Sequence, residues 1–182
     1  MRSLLLLLGV LVLGCGTSPK TTVPTAESKM LDEMVFQNAF QIESDWAMPL
    51  MTNSLNSIAN SGLFPPGSNA NRITLVGNDN YLKVNGDSIS VYLPYFGERQ
   101  MGGGYNSDGS AIQFKGIPED YRIVQNKRKK RREIRFKMKK NTETFVVTVM
   151  LFPNLTSNIN VNSSHRFPIS YSGTIAAIPE EQ

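Results

Sequence analysis

Apolar and polar residues alternate along most of this 182-residue chain, a period that predicts short β-strands with one buried face. The first alternating run goes from Phe40 to Met48 and predicts that Trp46 faces the core together with Phe40 and Met48; Pro49 ends the run. Further strands are predicted over residues 72–76, 81–84, 87–93, 111–114, 121–124, 133–139, 157–161 and 168–177. We therefore predict a mainly β fold, an antiparallel meander of about nine or ten strands closed as a barrel or sandwich.

One apolar run lacks this alternation. Residues Thr144–Phe152 are β-branched or aromatic on both predicted faces, which is typical of a strand buried on both sides. This run is therefore predicted to be the central strand of the sheet.

The period changes to that of a helix near the start of the domain. A short N-terminal helix is predicted from Glu27 to Asn38, with Thr25 as its cap. Its apolar stripe consists of Met30, Leu31, Met34 and Val35. A second short helix is predicted within the insert 50–71, whose remaining residues have the Gly- and Pro-rich composition of a loop.

The clearest local signal is a hairpin. Asn85-Gly86 lies between two alternating runs and predicts a type I′ turn, in which both central residues need positive φ. Closure by these two residues pairs Leu82 with Ile89. The second strand then enters Tyr92–Gly97, where Pro94 cannot donate a ladder hydrogen bond, so the strand is predicted to end there.

The first residues have the composition of an export signal. Arg2 is followed by the apolar run Leu4–Leu13, which is too short to span a bilayer, since a spanning helix needs about 20 residues. Gly14-Cys15 then completes the arrangement of bacterial lipoproteins, in which the thiol is acylated and the chain is cut before the cysteine. We predict a signal peptide over 1–14, a lipidated tether over 15–25 and a single β-rich domain over 26–178.

Cys15 has consequences for chemistry and location. It is the only cysteine, so the mature chain forms no internal disulfide and has no other thiol nucleophile. Several acyl chains on one residue give stable anchoring, which makes the membrane the first expected partner. Gly16 replaces the aspartate that retains some lipoproteins at the inner membrane, so we expect the bacterial cell envelope, at the outer membrane and facing the periplasm.

Positive charge is concentrated in one predicted hairpin. Residues 127–140 hold ten Lys or Arg and one acid, whereas the rest of the mature chain is net acidic. Its candidate anion-binding residues are Lys127, Arg128, Lys129, Lys130, Arg131 and Arg132. Anionic lipid or a polyanionic glycan would suit this run, and an exposed hairpin tip is the simpler interpretation. Nucleic acid is not an expected partner, because an export signal precedes the run and no aromatic residues interleave with it for stacking.

Several motifs, in order, resemble a known family. They are Leu93-Pro94-Tyr95-Phe96-Gly97, a Gly/Tyr loop, Asp108-Gly109, Ile112-Gln113-Phe114, Asp120-Tyr121, the Lys-rich hairpin, Ser163-Ser164-His165-Arg166, and then Ile169, Tyr171 and Gly173. The chain resembles domain of unknown function family 4251 over residues 27–178. The resemblance implies a short envelope lipoprotein or secreted protein of Gram-negative bacteria with an all-β domain, and it carries no known catalytic residues. The chain departs from the family pattern in its long insert and at Glu98, where an arginine is expected directly after Gly97.

Candidate ligand-binding residues lie around the same motifs. They are Tyr92, Tyr95, Phe96, Tyr105, Arg166 and Tyr171. The aromatic side chains would line the mouth of a groove, or alternatively cover the rim and plug the end of the sheet. Arg166 would bind an anion, or alternatively pair with a buried acid or with carbonyl groups. The candidate acids are Asp87, Asp108 and Asp120.

Motifs for catalysis and metal binding are weak. His165 is the only histidine, and the sequence has no Gly-x-Ser-x-Gly elbow, phosphate-binding loop or complete calcium loop. A carboxylate pair for glycoside hydrolysis has no sequence signature and stays open. We therefore expect no cofactor or metal and a non-enzymatic role in binding an unknown small molecule or envelope protein, or in envelope support. An envelope hydrolase and a polyanion binder using hairpin 127–140 are the alternatives.

Overall fold

The computed structural model describes residues 24–101, 111–126 and 131–178. Several sequence predictions fall outside these described residues. They are the signal peptide 1–14, lipidation of Cys15, most of the tether 15–25, Tyr105, Asp108, and the cations Lys127, Arg128, Lys129 and Lys130.

Two helices and ten strands form in the described ranges. The helices are α1 (Ala26–Gln37) and α2 (Asn53–Asn60). The strands are β1 (Ala39–Pro49), β2 (Ile73–Thr74), β3 (Tyr81–Asn85), β4 (Ser88–Leu93), β5 (Ile112–Gly116), β6 (Glu119–Asn126), β7 (Arg131–Lys140), β8 (Glu143–Leu151), β9 (Thr156–Ser163) and β10 (Ile169–Ala177). Both predicted helices are confirmed, and Thr25 caps α1 by accepting a hydrogen bond from the backbone N–H of Ser28.

The ten strands belong to one antiparallel sheet that curls as a half-barrel. Their order is β5-β4-β3-β1-β10-β9-β8-β7-β6, with β2 paired to β1. The prediction of a mainly β, antiparallel fold is confirmed. Strands that follow one another along the chain are neighbours in the sheet, except at β2 and between β5 and β6, and the first strand pairs with the last. Residues 117–118 join the two outermost strands, β5 and β6. Within the described residues no ladder joins those strands, so closure into a barrel is not confirmed.

The inner face of the sheet and one side of α1 enclose the core. Alternation correctly predicts the buried positions of β7 and β10, among them Ile134, Phe136, Met138, Ile169, Tyr171 and Ile175. From α1, Leu31, Met34 and Val35 are buried. Met30 is 52% exposed, so its predicted place in the apolar stripe is wrong.

A bulge in β1 reverses the faces of that strand. The register with β10 shifts between Ser44 and Trp46, which inserts one extra residue. Beyond the bulge Ala47 is fully buried while Trp46 and Met48 turn away from the core. The predicted inward position of Trp46 and Met48 is therefore wrong, because a single unpaired residue changes the phase of a two-residue period.

Two residues outside β1 hold this bulge. Asn80 is buried, and its amide accepts from the N–H of Ser44 at 2.7 Å and donates to the carbonyl of Ser44 at 2.9 Å. Gly173 pairs with Ser44, and a Cβ at Gly173 would collide with the carbonyl oxygen of Glu43. Glycine is therefore required where β10 passes the bulge.

The hairpin forms with a different register from the predicted one. Leu82 pairs with Val91 and Val84 with Ile89, so the two-residue loop is Gly86-Asp87. Only the first loop residue has positive φ, at 59°, which fits a type II′ turn and corrects the predicted type I′. The shift is two positions, so the same side chains still face the core.

The apolar run predicted as the central strand is β8, which lies seventh in the nine-strand path of the sheet. Phe145, Val147 and Val149 are buried, but Val146 is 40% exposed. The prediction of a central strand buried on both faces is therefore wrong. β1 and β10 occupy the middle, because the first and last strands of the domain pair with each other.

Candidate functional site

The stretch after β4 turns the chain into the core. Tyr95 is 7% exposed, and its hydroxyl oxygen lies 2.8 Å from the carbonyl oxygen of Glu98 and 3.1 Å from that of Phe167, so its one proton is shared between these two acceptors. Gly97 lies against this ring, and a Cβ there would collide with the phenolic oxygen. Tyr171 is fully buried and donates to the carbonyl of Pro94 at 2.9 Å. Two buried hydroxyls therefore link the segment after β4 to β10 and to Phe167, which lies just before it.

Arg166 lies beside these rings and pairs with an acid. Its Nε is 2.8 Å and its second terminal nitrogen 3.3 Å from the two carboxylate oxygens of Glu143, a bidentate arrangement. Its guanidinium also lies 5.1 Å from the centre of the Tyr95 ring. Ser163 donates a short hydrogen bond to the same carboxylate.

The predicted pairing of Arg166 with an acid is thus realised by Glu143, which was not among the candidates. Asp120 instead pairs with Lys137, and Asp108 lies outside the described ranges. Glu143 precedes the apolar run of β8, 23 residues before Arg166, and the antiparallel ladder of β8 with β9 brings the two together. The sequence identifies Glu143 as the partner of Arg166 only when the pairing of β8 with β9 is already known.

Protonation in this cluster follows from burial and the ion pair. Burial raises the pKa of the Tyr95 phenol to about 12, although the charge of Arg166 acts to lower it. Burial also raises the pKa of Tyr171 well above its ordinary value. Burial acts to raise the pKa of Glu143 as well, but hydrogen bonds from Arg166 and Ser163 outweigh it and hold that pKa below its usual range. At neutral pH the cluster thus contains an ion pair and neutral phenols.

The sequence-predicted ligand residues therefore separate in space. Tyr95, Arg166 and Tyr171 come together inside the domain, with their polar groups engaged by the protein itself. Phe96 packs against the core, as the plug interpretation expects. Tyr92 points from the opposite face of β4. Ligand binding by the buried three residues stays a prediction.

The two described cations of the basic run are in ion pairs. Arg131 lies 3.4 Å from Glu133, and Arg132 pairs with Asp32 of α1. Further along β7, Lys137 pairs with Asp120 at 2.6 Å. The described part of hairpin 127–140 is therefore partly neutralised, and anion binding by it stays a prediction.

The outer face of β1, β3, β4 and β5 carries a groove of about 470 Å³. Its lining residues are Gln41, Tyr81, Lys83, Asn85, Ser88, Ser90 and Lys115. The strand register explains why they meet, since Gln41, Lys83, Ser90 and Lys115 form one row of paired residues across the four strands. All of them occupy positions that alternate with core residues. The volume falls within the range of about 300–1,000 Å³ typical of small-molecule sites.

The groove ends at an aromatic pair. Tyr81 and Tyr92 pair across β3 and β4, and their rings stack with centroids 6.3 Å apart and planes inclined by 30°. Both rings are partly exposed. Tyr92, which the sequence predicted as a ligand residue, therefore lies at the border of the groove rather than with the buried cluster.

A smaller pocket, of about 200 Å³, lies near the β4–β5 end of the sheet. It is lined by Asn38, Gly86, Asp87, Ile89, Ile117, Pro118 and Tyr121. Its volume is below the usual range for a ligand site, so the larger groove is the better candidate.

Comparison with family models matches residues 24–175 to a family described as "Domain of unknown function (DUF4251)". The chain belongs to the DUF4251 family. The resemblance drawn from the sequence motifs is thereby confirmed, and the family itself assigns no activity.

A solved DUF4251 protein has a similar fold. It is the crystal structure of a DUF4251 family protein from Bacteroides eggerthii DSM 20697, with a TM-score of 0.56 and 14% identity. The match covers 83% of this chain and 87% of that chain. At this identity the likeness shows the fold alone. No curated protein matches the chain.

Two further observations bear on chemistry in this DUF4251 domain. Within residues 24–101, 111–126 and 131–178, no group of three or more His, Cys, Asp or Glu side chains is placed to hold a metal ion. Over the same ranges, neither helix has the length and apolar composition needed to cross a membrane.

Proposed function

We propose that this DUF4251 protein is a lipid-anchored envelope protein, attached through Cys15 at the outer membrane and facing the periplasm, whose β domain binds a ligand without catalysis. The N-terminal sequence supports the anchor, since an apolar run of signal-peptide length ends at Gly14-Cys15. The Thr-, Pro- and Lys-rich segment 16–25 supplies a solvated spacer between the lipid and α1.

The observation that carries the binding role is the composition of the outer groove. Among the described residues its lining consists of lysine, amide, hydroxyl and tyrosine groups and includes no carboxylate, imidazole or thiol. Such side chains recognise a ligand by charge and hydrogen bonds, but they lack a paired acid and base for moving protons.

The hydrolase alternative is less well supported. An envelope hydrolase would use Arg166 or the tyrosines at its active site, yet Arg166 is 6% exposed and paired with Glu143. The raised pKa of Tyr95 keeps its phenol neutral at periplasmic pH, which argues against a basic phenolate. Burial and pairing within the fold explain why these side chains are present, and neither observation requires a catalytic role.

Lipid anchoring is tested by labelling. The full-length chain would be expressed in a Gram-negative bacterium with radiolabelled palmitate, and Cys15→Ser is expected to remain unlabelled and uncleaved. Thr17→Ser is the matched control, because it changes a neighbouring side chain and leaves the cysteine in place. Labelling and cleavage of Cys15→Ser equal to the parent protein would overturn the anchor. Fractionation of the labelled parent protein with the inner membrane would overturn the outer-membrane assignment.

A further inference from the structure

We propose that the groove on the outer face of β1, β3, β4 and β5 binds an acidic saccharide. This inference rests on the proposed binding function and names its ligand class. The groove contains a pair of lysines. Lys83 and Lys115 flank Ser90 in one cross-strand row, so their Cα atoms lie two strand spacings, or about 10 Å, apart.

Neither lysine is in an ion pair with another described residue, in contrast to the paired cations of β7. The described residues that line the groove include no acid. Two cations facing the same polar groove therefore favour an anionic ligand.

Protection of a sheet edge explains only one of these lysines. Lys115 lies on β5, an edge strand, where a charged side chain commonly prevents pairing with another chain. Lys83 lies on β3, between β4 and β1, where no edge needs protection. Edge protection therefore does not explain why Lys83 is half-buried in the groove, whereas contact with a ligand anion would explain it.

The rest of the lining fits a hydroxylated ligand. Gln41 and Asn85 offer amide donors and acceptors, and Ser88 and Ser90 offer hydroxyls. Sugar hydroxyls both donate and accept, so they match such groups. A groove of about 470 Å³ is larger than a single inorganic anion needs, and its polar lining does not suit an acyl chain.

The tyrosine pair supplies the apolar part of a saccharide site. Tyr81 lines the groove and stacks on Tyr92, which holds both rings in place on the surface of the sheet. An aromatic face with a polar tip packs against the C–H face of a sugar ring while its hydroxyl reaches a neighbouring group. The lysines, the amide side chains and the stacked tyrosine rings together favour binding of an acidic sugar over binding of an inorganic anion.

Calorimetric titration of the purified full-length protein in detergent tests this assignment. The probe is a tetramer of galacturonic acid, and its fully methyl-esterified form is the uncharged counterpart. Lys83→Gln/Lys115→Gln is expected to bind the acid about tenfold more weakly than the parent protein. Lys137→Gln/Lys139→Gln removes the same charge from β7 and is expected to change the Kd by less than about twofold.

A second pair of variants tests the role of the stacked Tyr81 and Tyr92 rings. Tyr81→Ala is expected to weaken binding of the tetramer about tenfold, while Tyr81→Phe keeps the ring and binds like the parent. Circular dichroism of each variant checks that the sheet is intact. Equal losses in the two lysine double variants, equal affinity for the methyl ester, or no binding of the tetramer would each overturn the proposal.

The failure of this inference is distinguishable from failure of the proposed function. The titration uses purified protein, so its result does not depend on acylation. An unlabelled parent protein in the palmitate experiment would overturn the anchored role and leave the titration unchanged.

Discussion

The Arg166 cluster and the outer groove are polar sites on opposite faces of one sheet, and they use their cations differently. Arg166 is 6% exposed and bonded to both carboxylate oxygens of Glu143. Lys83 and Lys115 line an open groove and form no ion pair with any described residue. Burial makes an unpaired charge costly, so the inner cation needs a partner within the fold. Only the outer face leaves positive charge for a ligand.

The largest expected effect comes from breaking the inner pair. Arg166→Met leaves the Glu143 carboxylate largely buried without its partner, and the free energy of unfolding should fall by about 3 kcal/mol. Urea denaturation of the purified protein measures this loss. The double variant Arg166→Met/Glu143→Met removes both charges and should recover most of the stability.

A matched exposed pair sharpens that comparison. Arg135 lies 2.8 Å from Glu133, but its side chain is 60% exposed. Arg135→Met should therefore change the free energy of unfolding by less than about 0.5 kcal/mol. Similar losses for Arg135→Met and Arg166→Met would contradict the contrast between buried and exposed cations.

Tyrosine hydroxyls should differ in the same way. Tyr171→Phe removes the donor to Pro94 and leaves a buried carbonyl unsatisfied, at a cost of about 1–2 kcal/mol. Tyr92→Phe removes a hydroxyl from the partly exposed ring beside the groove and should cost less than about 0.5 kcal/mol. Thermal denaturation of the two variants compares them directly, and equal shifts would show that burial is not the deciding factor.

Alkaline pH should destabilise the inner cluster. The pKa of Tyr95 is about 12 in the folded chain, whereas an unfolded tyrosine has a pKa of about 10. The folded state therefore keeps its proton longer, and stability is full below pH 10 and declines as pH rises towards 12. Between pH 8 and 11 we expect ionisation of Tyr95 to account for about 1 kcal/mol of the stability lost in urea denaturation, and the raised pKa of Tyr171 adds to that loss. Tyr95→Phe should reduce this loss; an unchanged slope would contradict the assignment.

The smallest expected effect on stability lies in the groove. Lys83→Gln/Lys115→Gln removes two charges that have no acidic partner in the described fold, so the free energy of unfolding should stay within about 0.5 kcal/mol of the parent protein. Urea denaturation measures it. A loss near that of Arg166→Met would mean that these lysines hold the sheet together rather than serve a ligand.

Sequence periodicity predicts the strands well because one face of the sheet is buried. Ile134, Phe136 and Met138 alternate with charged residues, and burial follows that alternation. The period fails at the β1 bulge, since the extra residue is specified by Asn80 and Gly173, which are distant in sequence. The hairpin register likewise depends on whether Asn85-Gly86 or Gly86-Asp87 forms the two-residue loop.

Both candidate sites depend on strand order, which the sequence does not state. Arg166 meets Glu143 only because β8 and β9 pair, and the sequence identifies the arginine but not its acid. The groove row needs β1 beside β3, although β2 separates them along the chain. Local sequence patterns therefore identify single residues such as Tyr92, whereas the order of the strands brings the residues of each site together.

The seam between the first and last strands has a consequence for the order of assembly. β1 pairs with β10 along nine positions, and the two wings of the sheet, β3–β5 and β6–β9, are linked by ladders only through that seam in the described residues. Contacts so distant in sequence form slowly, because a long loop must close before they are made. A chain that emerges from a ribosome or a translocon with its N-terminus first leaves β1 with an open edge until the final strand arrives. Deleting residues 169–178 would leave two partial sheets in place of one.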